Sequence, residues 1–253
     1  MIEWTFGRRV LNSAASGPRR KRSLAALFLV AAALWWARPP IRAASNAASE
    51  AVCDVSADYA LGNEDYPEAI RLHEEVLRHD PNDALARYHL GFAYAMNHDA
   101  PGELREYRRA EDLGLRQWDL FLNLGLLYLE RHELRAALNA LTAATKLGPQ
   151  HAETHLNLAL AYERAALLPQ ALREILASLE LGPDQPDAQN TLAVIDAEMG
   201  NYEGARAVWV KLVRIDPDYQ PARVNLAVLE RVATDGASPP RLSWISESPG
   251  SSR

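Results

Sequence analysis

Cysteine is almost absent from this chain, since Cys53 is the only one among 253 residues. A single thiol cannot form an intrachain disulfide, and one cysteine cannot build a cysteine-based metal cluster. We therefore expect Cys53 to be a small apolar residue buried in the core, without a role as a reactive thiol.

Motifs of catalysis are missing as well. The sequence contains no phosphate-binding loop, no Gly-x-Ser-x-Gly motif and no pairing of cysteine with histidine that points to a nucleophile. His151 and His155 have the spacing of two metal ligands on one helix face, but no glutamate stands next to His151 as a zinc protease motif requires. We expect no catalytic residue, no metal ion, no cofactor and no small-molecule substrate.

Dense positive charge occurs only near the N-terminus. The chain carries 27 lysines and arginines against 33 aspartates and glutamates, a formal net charge of −6. Its one dense basic run covers residues 19–22. Nucleic-acid binding requires basic side chains clustered on a folded face, so we expect no nucleic acid partner. The alanine-rich sequence, 48% hydrophobic, favours an all-α fold over a strand-rich core.

Long hydrophobic runs are limited to one segment, residues 24–37. As a helix these fourteen residues span about 21 Å at 1.5 Å per residue, which is short of a hydrocarbon core of about 30 Å. Arg22 and Arg38 can extend to the two headgroup regions, and tryptophans suit an interface. We expect residues 23–38 to be a transmembrane anchor, preceded by a basic region at residues 1–22 and followed by a linker at residues 39–49.

A cleaved signal peptide is the alternative for the same segment, because small residues follow it. The pair Trp35-Trp36 and a basic region of about 22 residues before the apolar run weigh against cleavage. A third possibility is a buried or interfacial helix. The expected location is a single-pass inner-membrane protein with its C-terminal part on the periplasmic side. Cleavage would instead give a soluble periplasmic or secreted protein.

A pattern of thirty-four residues repeats through the rest of the chain. It is clearest in residues 118–151, where these positions hold Phe121, Leu124, Gly125, Tyr128, Ala137, Leu141, Ala144 and Pro149. Steps of thirty-four from Leu124 reach Leu90, Leu158, Leu192 and Leu226. We divide the repeats into units 50–83, 84–117, 118–151, 152–185 and 186–219, followed by a capping helix at residues 220–232 and a disordered tail at residues 233–253.

Proline and glycine mark the expected helix boundaries. Pro67, Pro101 and Pro169 recur where the second helix of a unit begins, a position at which the missing N–H of proline costs nothing. Gly114, Gly148 and Gly182 recur where that helix ends, and we expect them to adopt the left-handed conformation that often closes helices.

This pattern of residues resembles the tetratricopeptide repeat, a family of helix-turn-helix arrays. The resemblance implies a right-handed superhelical solenoid whose concave groove holds a peptide or a partner helix. It also implies that the first helix of each unit lines the groove. The position just before the repeated leucine then faces inward, and it holds Val55, His89, Asn123, Asn157, Thr191 and Asn225.

An asparagine side chain offers a donor and an acceptor, which suits binding of an extended peptide backbone. Asparagine is also common at this position in the family, so its recurrence alone does not establish contact with a ligand. Other inward positions form an expected apolar floor, which includes Tyr88, Phe92, Leu122, Leu126, Leu156 and Leu160. The acidic side chains among the inward positions form a rim, with Arg164 as the main opposing charge; they are Asp54, Asp58, Asp119, Glu130, Glu153, Glu163, Asp187 and Glu198. Such a rim favours a neutral or basic partner but is also compatible with a merely solvated face.

The sequence thus predicts a non-catalytic scaffold that binds other proteins at a bacterial envelope membrane. A soluble exported repeat protein is the first alternative. The second is an accessory subunit that regulates a membrane enzyme or machinery handling secretion or polysaccharide.

Overall fold

The computed structural model describes residues 53–235, with side chains to residue 231, and this part of the chain is all-α. It consists of eleven helices and no strand in that range. The helices are α1 Val55–Gly62, α2 Tyr66–His79, α3 Ala84–Met96, α4 Ala100–Asp112, α5 Trp118–Glu130, α6 Leu134–Leu147, α7 Ala152–Arg164, α8 Leu168–Leu181, α9 Pro186–Glu198, α10 Tyr202–Ile215 and α11 Gln220–Asp235. The predicted all-α class with paired helices is confirmed.

Each helix packs mainly on its neighbours in sequence. The two helices of a unit contact each other, and the second helix of a unit contacts the first helix of the next. First helices of successive units also touch directly in the pairs α1 and α3, α5 and α7, and α7 and α9. The described helices therefore form a helix-turn-helix solenoid in which the first helices lie side by side along one face.

The repeated small residues allow the helices of a unit to approach closely. Ala137, Ala171 and Ala205 are fully buried at equivalent positions of three units. A Cβ atom added to Gly125 would lie 2.5 Å from Cγ of Leu141 on α6, closer than packed carbon atoms approach. Glycine at this position is therefore required by packing between α5 and α6.

The turn inside each unit contains a residue with positive φ. These residues recur every thirty-four positions and have φ values between 59° and 90°; they are Glu64, His98, His132, Ala166 and Gly200. Only the last of them is glycine, so four units place an ordinary side chain in a conformation that costs about 1–2 kcal/mol. The sequence pattern did not reveal this feature.

The predictions at the helix boundaries were partly correct. Pro67, Pro101 and Pro169 stand in the first turn of α2, α4 and α8, as expected. Gly114 has φ of 94°, but the predicted left-handed conformation is wrong for Gly148 and Gly182, whose φ values are −131° and −147°. A Cβ on Gly148 would meet the side chain of Trp118 at 2.7 Å, so close packing explains glycine there.

Several predicted segments fall outside the described residues. They are the basic region 1–22, the hydrophobic helix 23–38, the linker 39–49 and residues 236–253 of the expected tail. Among the helices of residues 53–235, none combines the length and apolar character needed to cross a bilayer. The expected capping helix corresponds to α11, which continues to Asp235.

Candidate functional site

Five of the predicted groove residues lie on the first helices of the second to fifth units and on α11, and they form what we term the inner row. Val55, at the equivalent position of α1, is 76% exposed, so its predicted inward orientation is wrong. The inner row consists of His89 on α3, Asn123 on α5, Asn157 on α7, Thr191 on α9 and Asn225 on α11. All five side chains are buried, with at most 4% of their surface exposed. Buried polar groups need hydrogen-bond partners, and the structure shows several of them.

Two members of the inner row bond back to their own helix. The Asn157 side-chain amide donates to the carbonyl of Glu153 at 2.8 Å, and the Thr191 hydroxyl donates to the carbonyl of Asp187 at 2.8 Å. Both acceptors lie four residues earlier, where the side chain reaches the preceding turn.

Two other members bond to the preceding unit. Asn123 donates from Nδ2 to the hydroxyl of Tyr88 at 3.3 Å, and Asn225 donates from Nδ2 to Oδ1 of Asn190 at 3.1 Å. Each pair is thirty-five residues apart, so both bonds join an inner-row residue to the position just before the inner-row residue of the preceding first helix. These asparagines therefore connect repeats, and their predicted contact with a ligand stays a prediction.

The expected apolar floor is largely enclosed. Phe92 is half-buried, whereas the other predicted floor residues expose at most 6% of their surface: Tyr88, Leu122, Leu126, Leu156 and Leu160. Leu122 and Leu126 pack in one cluster with Leu158. Their contribution to stability through packing is clear, and their role in binding stays a prediction.

The acidic rim is the accessible part of this face. Asp119 on α5 and Glu153 on α7 are partly exposed, and the charge of His89 partly offsets that of Asp119. Burial raises the pKa of Asp119 despite the hydrogen bond from the Tyr88 hydroxyl. Burial, followed by repulsion from Asp119, raises the pKa of Glu153. Negative charge at this point of the face is therefore only partly compensated.

A concavity lies on α3 and α4, apart from the inner row. It has a volume of about 470 Å³, and four arginines and two acids line it. Glu106 pairs with Arg87 at 2.7 Å and with Arg105 at 2.8 Å. Part of the positive charge of the concavity is therefore already neutralised.

A compact polar cluster occurs where α1, α2 and α3 meet, and we term it the Cys53 cluster. It contains Cys53 just before α1, Asp58 on α1, His73 on α2 and His89 on α3. Oδ1 of Asp58 lies 3.3 Å from the Cys53 sulfur, 3.2 Å from Nε2 of His73 and 2.7 Å from Nδ1 of His89. The Cys53 sulfur lies 3.4 Å from Nδ1 of His89.

The charges in this cluster affect one another. Although burial raises the pKa of Asp58, hydrogen bonds from His73 and His89 outweigh it and hold that pKa well below its usual range. Burial, and then the negative charge of Asp58, raise the pKa of the Cys53 thiol far above its usual value. The cluster thus holds an ionised carboxylate next to a protonated thiol.

This cluster corrects two expectations from the sequence. Cys53 is not a plain apolar core residue, because its sulfur contacts a carboxylate and an imidazole. Cysteine and histidine are also paired in space, although Cys53 and His89 are thirty-six residues apart. The only signal in the sequence was the presence of two histidines, His73 and His89, in the units nearest the cysteine.

The other histidines considered from the sequence have separate environments. The His151 ring stacks on the Trp118 ring at a centroid distance of 3.8 Å. His155 contacts Oε2 of Glu174 at 2.9 Å through Nδ1 and the carbonyl of Pro149 at 3.1 Å through Nε2. The i, i+4 spacing therefore does not bring these two rings to a common ligand position.

The described residues form an array of helical hairpins with a side-by-side row of first helices, which defines a solenoid repeat protein. The tetratricopeptide repeat family matches residues 55–114 and 122–186, and the chain belongs to this family. None of the curated protein sequences matches the chain.

Solved structures share the fold. YrrB, described as a tetratricopeptide repeat protein with an unusual peptide-binding site, is 24% identical with a TM-score of 0.61, covering 66% of this chain and 86% of its own. PilF of Pseudomonas aeruginosa is 22% identical with a TM-score of 0.59, covering 72% and 82%. MamA of Desulfovibrio magneticus RS-1 is 20% identical with a TM-score of 0.59, covering 65% and 93%.

Proposed function

We propose that this array is a non-catalytic scaffold that binds a segment of a partner protein along the row of first helices. The observation that carries the proposal is the side-by-side packing of α5, α7 and α9, which aligns equivalent positions of successive units on one face. Regularly spaced positions on one face suit a peptide or helix, whose own side chains recur at regular intervals. The peptide-binding site named for YrrB supports the same class of ligand.

The rim favours a basic partner segment. Asp119 and Glu153 repel each other, as the raised pKa of Glu153 indicates. A lysine or arginine of the partner placed between them would favour the ionised form of both groups. The ligand is therefore a neutral or basic segment with apolar anchors.

The enclosed floor determines how such anchors reach the array. Leu122, Leu126, Leu156 and Leu160 are buried, so apolar anchors reach them only if binding opens this face. Hydrogen exchange of α5 and α7 with and without a bound peptide tests this step. Unchanged exchange on binding would restrict the contact to the rim.

Selection from a random peptide library with the full-length chain tests the proposed ligand class. The selected peptides should combine lysine or arginine with apolar residues, and their binding should weaken about tenfold in the variant Asp119→Asn/Glu153→Gln. The control variant Glu68→Gln/Glu75→Gln makes the same change in net charge at exposed positions of α2 and should bind normally. Equal weakening in both variants would contradict a role for this face.

We further infer that residues 23–38 hold the array at an envelope membrane, as their apolar character and basic flank suggest. Subcellular fractionation combined with the intact mass of the chain distinguishes the alternatives. A membrane-bound chain of full mass supports the anchor. A soluble chain that has lost the residues before about position 48 supports export with cleavage instead. The alternative of an accessory subunit would be supported if a membrane enzyme co-purified with the chain and if the chain altered the activity of that enzyme.

A further inference from the structure

The Cys53 cluster brings together four side chains of the types that bind transition metals. A thiol, a carboxylate and two imidazoles contribute one ligand atom each, and these atoms all lie within 4.8 Å of one another. The cluster is enclosed: His73 is fully buried, and His89 is 4% exposed. The remaining two residues are partly exposed, which leaves a route for an ion to enter.

The orientation of His73 suits a metal ligand. Its Nδ1 lies 2.8 Å from the carbonyl of Ala69, an acceptor that requires a proton on Nδ1. Nε2 faces Asp58 and the rest of the cluster, and a metal ion bound there would replace the proton that Nε2 donates to the carboxylate. Histidines that bind metals commonly donate the second ring N–H to a carbonyl or carboxylate in this way, because that bond fixes the ring and its tautomer.

The spacing of the sulfur and one imidazole is that of a tetrahedral site. With bonds of about 2.0–2.3 Å, neighbouring ligand atoms of tetrahedral zinc lie about 3.3–3.6 Å apart. The Cys53 sulfur lies 3.4 Å from Nδ1 of His89, within this range. The distances from Oδ1 of Asp58 to Nδ1 of His89, to Nε2 of His73 and to the sulfur are 2.7, 3.2 and 3.3 Å. Oδ1 of Asp58 itself lies at the point where the other three groups converge, so the carboxylate must rotate to admit an ion, and its partial exposure leaves room for that rotation.

We propose that Cys53, Asp58, His73 and His89 bind one divalent transition-metal ion, with zinc as the preferred ion. One sulfur, one oxygen and two nitrogen ligands match the donor preferences of zinc in tetrahedral sites. The charge of the ion would stabilise the thiolate of Cys53 and balance the carboxylate of Asp58. All four positions carry a protein ligand, as in structural rather than catalytic zinc sites.

The position of the site indicates its effect on the fold. Its ligands come from α1, α2, α3 and from Cys53, two residues before α1, so a bound ion would connect the first unit to the second. The first unit has the shortest helix of the described residues, with eight residues and the small core residues Ala57 and Ala60. Metal binding would add stability to this unit, where the buried apolar area is small.

Cobalt titration of the full-length chain, purified without a histidine tag and stripped with a chelator, tests the proposal. We expect saturation at one ion per chain, a thiolate-to-cobalt charge-transfer band and the visible absorption of four-coordinate cobalt, with zinc displacing the cobalt. Zinc should also raise the thermal midpoint of the chain, and a chelator should reverse this effect.

Variants assign the ion to this cluster. Cys53→Ser should abolish the charge-transfer band, and Cys53→Ser and His73→Gln should each weaken binding by at least about tenfold. Circular dichroism verifies that the variants remain folded. If His73→Gln does not fold, Cys53→Ser still tests the proposal, because Cys53 lies before the first described helix.

The matched control is His155→Gln, which changes a histidine bonded to Glu174 and remote in sequence from the cluster. This variant should bind cobalt as the wild type does. Absence of saturable binding would overturn the proposal. So would a cobalt complex of the wild type that lacks the thiolate band, or an unchanged affinity in Cys53→Ser, either of which would assign the ion to exposed histidines elsewhere. In either case the cluster is a closed hydrogen-bond network that connects three helices.

Discussion

The side-chain amide of Asn123 donates a hydrogen bond to the hydroxyl of Tyr88, 3.3 Å away in the preceding unit. The same hydroxyl also interacts with the carboxylate of Asp119. One phenol group thus connects two polar side chains of α5 to α3, in a position that is almost fully buried. A buried hydroxyl with two partners contributes to stability because its removal leaves both partners without that bond.

Tyr88→Phe should therefore lower the stability of the array by about 1–3 kcal/mol. Chemical denaturation followed by circular dichroism measures the change. Tyr162→Phe removes a phenol hydroxyl from a partly exposed tyrosine on α7 and should have little effect. Similar losses in both variants would show that the bond between the units is not the cause.

The turn between α7 and α8 should become more stable in Ala166→Gly. Ala166 has φ of 63°, a conformation that glycine adopts without the steric cost of a Cβ atom. We expect a gain of about 0.5–1 kcal/mol in the free energy of unfolding. The adjacent Ala165 has φ of −78°, so Ala165→Gly should give no gain and a small loss. A gain in both variants would exclude the backbone conformation as the reason.

Gly125→Ala should destabilise the chain, although alanine is the better helix former. The added Cβ would lie 2.5 Å from Cγ of Leu141, and relieving that overlap should cost about 1–3 kcal/mol. In a Leu141→Ala background the overlap is absent, so the same change should be neutral or stabilising. A penalty that persists in this background would refute the steric explanation.

The charge on Glu153 should lower stability at neutral pH. Its pKa is raised in the folded chain, so folding favours the protonated form. The stability contributed by protonation is fully present below the unfolded pKa and is lost as the pH rises through the folded pKa. Glu153→Gln should therefore be more stable than the wild type near about pH 7, with a smaller difference near about pH 3.

Urea denaturation of wild type and variant across this pH range measures the difference between them. Glu230→Gln provides the control, because it neutralises an exposed glutamate on α11. An advantage for Glu153→Gln that is the same at every pH would show that its carboxylate does not cause the change.

The fold could be predicted from the sequence because its period is set by local packing. Ala137 and its equivalents Ala69, Ala171 and Ala205 are fully buried, and Leu124 and its equivalents are buried or partly buried, so the thirty-four-residue spacing directly records helix contacts. The choice of helix pairs and most boundaries followed from this spacing together with proline positions. Residues 23–38 lie outside the repeat, and the transmembrane anchor was predicted from their apolar character and flanking charge. The structure describes residues 53–235, so that prediction stays a prediction.

The site was harder to predict because it depends on side-chain conformations and on contacts between units. The sequence placed Asn123 and Asn157 at the same repeat position, yet Asn123 bonds to the preceding unit and Asn157 to its own helix. The Cys53 cluster combines residues at unrelated repeat positions, so no periodic pattern contains it. Only the way α1, α2 and α3 pack brings them together.

The confinement of helix contacts to near neighbours has a mechanical consequence. A hairpin at the C-terminal end of the array, such as α9 and α10, is held from one side by α8 and from the other by α11. Detaching α11 exposes Trp209 and the rest of its cluster without disturbing α5 and α6. Under a stretching force applied to the two ends, the array should peel apart hairpin by hairpin, giving a series of small extension steps instead of one large rupture.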